Sequence, residues 1–519
     1  MEEEKPGIPI IHDLRLGPFD PTSAEEPSVK LPEALQAGKT YGSGFDFSKT
    51  ESLSGNVNTR RDFLRSAGLG SAAFLGLRTL LNHPLGAAMA PRARSARNLG
   101  PLQTTACKPI QLPRGFSYTM FSSAGAEMDD GLLVPGMHDG MGAFAAPDGR
   151  TILVRNHENQ SAWKQHSPFG PNNERLGLVD PDLIYDPGRM IDPGLGGTST
   201  IVFDTKAQRM DKHFLSLIGT QRNCAGGQTP WGTWVTCEEV NAEREPNEED
   251  WHGYNFEVTP TIEPGLVKPV ALRDMGRFRH EAVTVDPASG VVYETEDLGD
   301  GLLYRFLPHE PGKLSKGGRL QALAVKGQPQ MDTRNWPTLP TFPLGQPLEV
   351  EWIDMDNVDS PMLDLRYRGR AKGAAVFARG EGAWWGEGEG YFAMTNGGRN
   401  TFGQVFRYIP SPYEGTSRET EQPGRIELFA EPNDTELLKN GDNIMVAPWG
   451  DLIICEDTKG VNRIMGVTAE GEFYEIAANV GPEGSEWAGA CFSPDGTTLF
   501  ANIQKPGYTV AITGPWPNA

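Results

Sequence analysis

Cysteine is scarce in this chain. Five residues (Cys107, Cys224, Cys237, Cys455 and Cys491) in 519 positions are too few and too scattered for a disulfide framework, and the odd count leaves at least one thiol unpaired. Positive charge is also in deficit, with 47 Lys and Arg against 68 Asp and Glu and a formal net charge of −21. A nucleic-acid backbone or an anionic membrane surface would repel such a chain, so neither is expected as a main partner; bound cations would relieve the excess. No stable membrane span is expected either, because the apolar run from Ser66 to Leu77 is short and is followed at once by Arg78. There is no obvious Ser-His-Asp or paired-histidine motif, and His280-Glu281 is not part of an HExxH zinc signature.

Glycine and proline, by contrast, are plentiful at 62 and 42 residues, which suits many short strands joined by tight turns. The first 90 or so residues carry an address. TRRDFLR (59–65), the modestly apolar SAGLGSAAFLGL (66–77) and the small-x-small site Ala88-Met89-Ala90 form a twin-arginine export signal behind a long polar leader. That route implies the twin-arginine machinery as a partner and a periplasmic or secreted destination for cargo that folds before crossing. The basic segment from Pro91 to Leu99 reads as a flexible joint, and the domain proper is expected over residues 100–515.

Six punctuated segments recur in that domain. They are PDGRTILVRNHE (147–158), PWGTWVTCEE (230–239), PASGVVYETED (287–297), GEGYFAMTN (388–396), PWGDLIICED (448–457) and PDGTTLFANIQ (494–504). In each, turn residues are followed by about five strand-forming residues and then by polar groups. Repetition of this kind predicts an all-β fold, a six-bladed β-propeller whose irregular spacing implies large insertions. The polar residues after each apolar run would then converge on one end of a central channel. Asn156, Glu158, Cys237, Glu238, Glu239, Glu296, Asp297, Asn396, Glu456, Asp457 and Asn502 are the candidates. Side chains alternate along a strand, so Glu238 and Glu239 should not both face inward, and the sequence does not choose between them.

Carboxylates gathered in this way repel one another unless multivalent cations sit among them. Oxygen donors suit calcium, and a thiolate beside them suits a softer metal such as iron, zinc or copper. FARGEGAWW (377–385) adds Arg379 and Glu381 on the same side of an extended segment, a seat for a phosphate or carboxylate beside a metal.

Together RNHE (155–158), NCAGGQTPWGTWVTCEE (223–239), GRFRHEAV (276–283), FARGEGAWW, DNIMVAPWGDLIICED (442–457), EWAGACFSPDGTTLFANIQKPG (486–507) and the export signal resemble the PhoX-type alkaline phosphatases and their DUF839 relatives. The resemblance implies a propeller that hydrolyses phosphomonoesters at a cluster of ferric (Fe3+) and calcium (Ca2+) ions bridged by an oxo group. Carried onto this sequence, it makes Cys237 the thiolate ligand of iron, Glu281 and Glu381 iron-binding carboxylates, and Arg379 the residue that grips phosphate. It leaves Asn156, Glu158, one or both of Glu238 and Glu239, Glu296, Asp297, Glu456, Asp457 and Glu486 as calcium ligands. Cys224 matches the pattern without a clear role. Where the family tends to read R-P-E-D-G-A-W, this chain reads Arg379-Gly380-Glu381-Gly382-Ala383-Trp384, which lacks one acidic residue. The alternatives are a calcium-dependent propeller hydrolase of another ester, such as a lactonase, and a nonenzymatic calcium-binding propeller.

Overall fold

Turn chemistry and β-branched residues set the local structure as their spacing predicts, and each of the six punctuated segments contains a strand. A computed structural model describes residues 99–104, 109–338, 341–386, 388–481 and 484–517, all within one compact unit, Ser71–Ala519. The export signal and Cys107 lie outside the described residues.

Each of those six strands is the second of a pair. The pairs are β1 (His138–Ala145) with β2 (Thr151–His157), β3 (Asn223–Gln228) with β4 (Trp234–Glu238), and β5 (His280–Val285) with β6 (Val292–Glu296). The series continues with β7 (Gly380–Gly386) and β8 (Glu389–Met394), β9 (Gly441–Val446) and β10 (Leu452–Glu456), and β11 (Trp487–Phe492) and β12 (Thr498–Ile503). All are antiparallel. The even-numbered strands are buried almost throughout, because both of their faces are covered by neighbouring sheets, and their sequences are accordingly near-continuous apolar runs. Burying side chains such as Ile152, Leu153 and Val154 contributes roughly 1.5–3 kcal/mol each.

The expectation of six separate blades needs correction. Hydrogen bonding forms five sheets: four stand as blades of three, four, four and six strands, and the fifth has nine strands. The strand Leu348–Asp354 fuses what would have been two blades, because it pairs with Gly318–Val325 on one side and Arg425–Ala430 on the other. The end strands of the nine, β5 and β7, lie against each other, so this sheet curls into a nearly closed barrel. The arrangement remains propeller-like, since β1, β3, β5, β7, β9 and β11 touch one another in a closed circuit around an axis. One helix, Leu365–Lys372, is α-helical among the described residues. Chain ends are tied in: Ser117–Ser123 forms the outer strand of the β11–β12 sheet, and Ile110–Pro113 extends the β9–β10 sheet, which covers edges that would otherwise be open.

The six odd-numbered strands share a device. Register shifts by one residue between His138 and Met141, Asn223 and Gly226, His280 and Val283, Gly380 and Ala383, Gly441 and Ile444, and Ala488 and Cys491. Each is a bulge at the same offset, with two residues facing one on the partner strand. The second bulge residues are small or short: Gly140, Ala225, Ala282, Gly382, Asn443 and Ala490 line an axial cavity of about 20 Å³. Backbones meet closely there, and a Cβ on Gly382 would lie 2.6 Å from the amide nitrogen of Ile444. Gly489 has φ +60°, and a Cβ on it would collide with the Asp139 carbonyl oxygen. Gly489→Ala is therefore expected to cost roughly 2 kcal/mol or more through clash and backbone strain together, whereas Gly471→Ala, with φ +81° and open space around it, should cost about 1 kcal/mol. Thermal unfolding of the two variants checks the difference.

Candidate metal centre

The bulges aim one residue apiece at a common point. Their first residues are Asp139, Cys224, Glu281, Glu381, Asp442 and Gly489; Asp139, Cys224, Glu281 and Glu381 are buried and Asp442 is half-buried. A second set comes from the positions just past the even-numbered strands, where alternation ends: Glu158, Glu239, Asp297 and Asp457. Apart from Asp297 and Gly489, and with Glu486 added from just ahead of β11, the two sets meet in four groups whose potential ligand atoms lie within 4.8 Å of one another. These are Asp139–Glu158–Cys224, Cys224–Glu239–Glu281, Glu281–Glu381–Asp442 and Asp442–Asp457–Glu486. Because neighbouring groups share a member, they form one continuous chain of carboxylates and a single thiol.

One half of this chain is laced with arginine. Arg222 bridges Glu158 and Glu239, Arg279 bridges Glu239 and Asp297, and Arg379 bridges Asp297 and Glu381. Arg379 grips Asp297 with Nε at 2.7 Å and a terminal nitrogen at 3.0 Å, and reaches Glu381 at 2.9 Å. Its backbone sits at φ 52°, a strained value for a residue with a side chain, held by bonds from its own N–H to Leu298 and from Thr395 N–H to its carbonyl. Although burial works in the other direction, Arg379 and Arg279 hold the Asp297 carboxyl below its usual range.

The acids carry an electrostatic cost, Glu158 included although Arg222 pairs with it. Burial first, then the charges of Glu158 and Asp442, push Asp139 well above the ordinary carboxylate range; burial and Glu381 do the same to Glu281, and burial and Asp457 to Glu486. Burial also pushes Glu158 up to about 7 and, with Asp457 beside it, Asp442 up to about 8. Glu281 is the sharpest case: it is fully buried and neither carboxylate oxygen has a hydrogen-bond partner. A buried carboxylate with no donor is expensive unless it binds a cation. Hard oxygens of this number fit calcium, and Cys224 adds a soft donor that fits a transition metal such as iron.

Of the residues expected from sequence, the structure brings Glu158, Glu239, Glu281, Glu381, Asp457 and Glu486 into these groups, with Asp297 and Arg379 alongside. Seven others stand elsewhere among the described residues, Asn396 and Asn502 among them: the Asn396 side-chain oxygen accepts from Asn440, and Asn502 donates to the Asp139 carbonyl and accepts from Thr509. Cys237 is buried with Val235, Met275 and Val283 in an apolar cluster, and Cys224 is the cysteine that stands among the acids. Asn156 spends its amide on the carbonyls of Cys224 and Ala225 and its oxygen on the Trp234 indole N–H. Glu238 accepts from the backbone N–H groups of Gln221, Gly253 and Tyr254 and from His252. Glu296 accepts from Leu302 N–H and the Tyr304 hydroxyl, and Glu456 from Lys439 N–H and from Arg463. The first acid of each pair thus turns back into its own sheet while the second faces the axis, so that Glu239 and not Glu238 stands in these groups. Sequence reasoning missed Asp139 and Asp442 and gave Cys224 no role. The signal was available in the stretches HDGMG, NCAGG, HEAV, GEGAW and GDNIM, each an acid or Cys followed by a small or short residue, one strand ahead of the punctuated segments.

The alkaline phosphatase PhoX family matches residues 97–191 and 195–507, most of the chain. The chain belongs to the PhoX alkaline phosphatase family. No curated protein matches it significantly. Solved structures similar to this PhoX-family chain include a gluconolactonase from Xanthomonas campestris (11% identity, 82% of this chain and 100% of that one, TM-score 0.34) and a luciferin-regenerating enzyme (10%, 73% and 93%, 0.34). The WD40 β-propeller domain of Doa1 is another (7%, 76% and 97%, 0.35). No helix among the described residues is long and apolar enough to cross a membrane.

The acidic chain has a consequence for the metal-free protein. Between the usual carboxylate pKa near 4 and the raised values of about 7 for Glu158 and about 8 for Asp442, the folded state holds more protons than the unfolded one. Stability present at low pH is therefore lost as pH rises through that window. Melting curves in chelator should show Tm falling from about pH 5 to about pH 8, and calcium should restore it most at the upper end.

Proposed function

We propose that this chain is a metal-dependent phosphomonoesterase that uses calcium and iron, is exported in folded form by the twin-arginine machinery and works in the periplasm or outside the cell. The observation that carries the reading is the partnerless, fully buried Glu281 carboxylate within a continuous chain of acids and one thiol, in a member of the PhoX family.

In this reading Asp139, Glu158, Asp442, Asp457 and Glu486 hold calcium, while Cys224, with Glu239, Glu281 and Glu381, holds iron. Bound there, the metals would supply Lewis-acid polarisation of the phosphoryl group and a nucleophile at neutral pH. The protein's own contribution is positioning and charge. Arg379, fixed by Asp297 and Glu381, presents a planar fork to the nonbridging oxygens, where negative charge is spread in phosphoryl transfer. Asp297 acts as a positioning residue, since it orients both Arg279 and Arg379. The shortened stretch Arg379–Trp384 keeps the arginine and the carboxylate Glu381, and Gly382 stands where close approach to Ile444 leaves no room for a side chain.

Two measurements test this. Protein purified after native export should contain iron and calcium by elemental analysis and should cleave a generic phosphomonoester until chelated; Cys224→Ser should lose iron while Cys237→Ser keeps it. The reverse pattern in the two cysteine variants would sink the assignment. Arg379→Ala should lower kcat by roughly a hundredfold to a thousandfold, in line with removal of one preorganised donor at a developing charge, with Arg379→Lys between it and the native enzyme.

A further inference from the structure

A groove of about 510 Å³ lies beside the candidate centre, apart from the acidic groups. Its size is that of a small-molecule site. Three segments connect the two places. Glu158 belongs to the acidic chain, and Gln160 and Ser161, two and three residues on, line the groove; Arg222 bridges the acids while Gln221 lines the groove; Glu239 faces the centre while Val240 lines the groove. They are bonded together, with Arg222 N–H donating to the Asn159 carbonyl and Ser161 N–H to the Gln221 side chain. Trp163 places its ring 6.0 Å from the Arg222 guanidinium carbon.

The lining has a definite chemistry. The Ser161 hydroxyl oxygen is buried without a partner and Gln160 adds an amide, while the Gln221 side chain is engaged, accepting from Ser161 N–H and donating to Glu248. Among the charged residues, Lys164 is paired with Asp192 at 2.7 Å, and His252 is held between Glu238 and Asp186. Glu243, Glu245 and Glu248 then face the groove against Arg244, whose guanidinium donates to the Glu249 carbonyl and lies over the Trp251 ring. The groove therefore offers hydrogen bonds together with an excess of negative charge.

We infer that this groove receives the alcohol portion of the phosphomonoester and selects uncharged, hydroxyl-rich alcohols of sugar or nucleoside size over alcohols bearing a further phosphate. The inference rests on the phosphatase reading above. Hydroxyl groups can donate to the Glu243 and Glu245 carboxylates and pair with Ser161 and the Gln160 amide, whereas a second phosphate in the groove would meet acids that repel it. Because the acids are partly exposed, the repulsion is screened and should fade with added salt.

The test compares kcat/KM for glucose 6-phosphate and fructose 1,6-bisphosphate on the metal-loaded native enzyme. At low ionic strength glucose 6-phosphate should be favoured by roughly tenfold, a preference that shrinks with salt. The triple variant Glu243→Gln, Glu245→Gln, Glu248→Gln should narrow the ratio to within about twofold. Ser161→Trp, which fills the groove, should raise KM for glucose 6-phosphate more than it raises the inhibition constant of inorganic phosphate, which has no alcohol to place. Equal handling of the two esters by the native enzyme, or a ratio that neither the triple variant nor Ser161→Trp moves, overturns the inference while leaving the phosphatase reading in place. Failure of the native enzyme to cleave either ester overturns both.

Discussion

Repulsion between buried carboxylates is the constraint around which this protein is arranged. Two unit charges 4.8 Å apart, the outer limit within each group, repel by roughly 3 kcal/mol at an effective dielectric of about 20. Several such pairs occur along one continuous chain of acids, which exceeds what a domain's net stability can absorb if all were ionised and uncompensated. Two forms of relief act within the protein itself. Arg222, Arg279 and Arg379 offset one half of the chain with direct ion pairs, and burial with mutual repulsion pushes Asp139 and Glu281 well above the usual carboxylate range, which favours their protonated forms. Multivalent cations would be a third, and would explain why Glu281 is buried with no donor at all.

The scaffold concentrates these groups by repeating one backbone device. A bulge at the same offset in six successive strands removes a residue from the ladder and turns its side chain toward the axis, and the next position is kept small or short so that six backbones fit round the cavity. The pattern persists where sheet pairing departs from it: β5 and β7 belong to one curled nine-stranded sheet, yet Glu281 and Glu381 occupy equivalent places. At the sixth place Gly489 carries no ligand, and Glu486, just ahead of β11, joins the groups instead.

The all-β class and the six second strands were legible in the sequence because turn signals and β-branched runs are local properties. The fusion of two groups into a barrel was not, since it depends on Leu348–Asp354 pairing on both sides, a contact between distant segments. The matching cysteines show how a true repeat can mislead. Cys237 and Cys455 are equivalent, but what they share is the position opposite a bulge, where Thr295, Ala393 and Ala501 stand in other pairs and a compact side chain fits. Proximity of Cys237 to Glu238 and Glu239 suggested a ligand, but Cys237 packs with Val235 on the apolar face, as strand alternation requires. The thiol that meets the acids, Cys224, lies in the preceding strand, and only the bulge geometry brings it there.

The most direct test of the central claim, that metal ions hold the acidic chain together, is anomalous diffraction at the iron absorption edge from crystals of the natively exported protein. An iron peak within ligand distance of both the Cys224 sulfur and a Glu281 oxygen is the predicted result. Fully occupied crystals with no anomalous peak near Cys224 and Glu281, or with iron beside Cys237 instead, would contradict it.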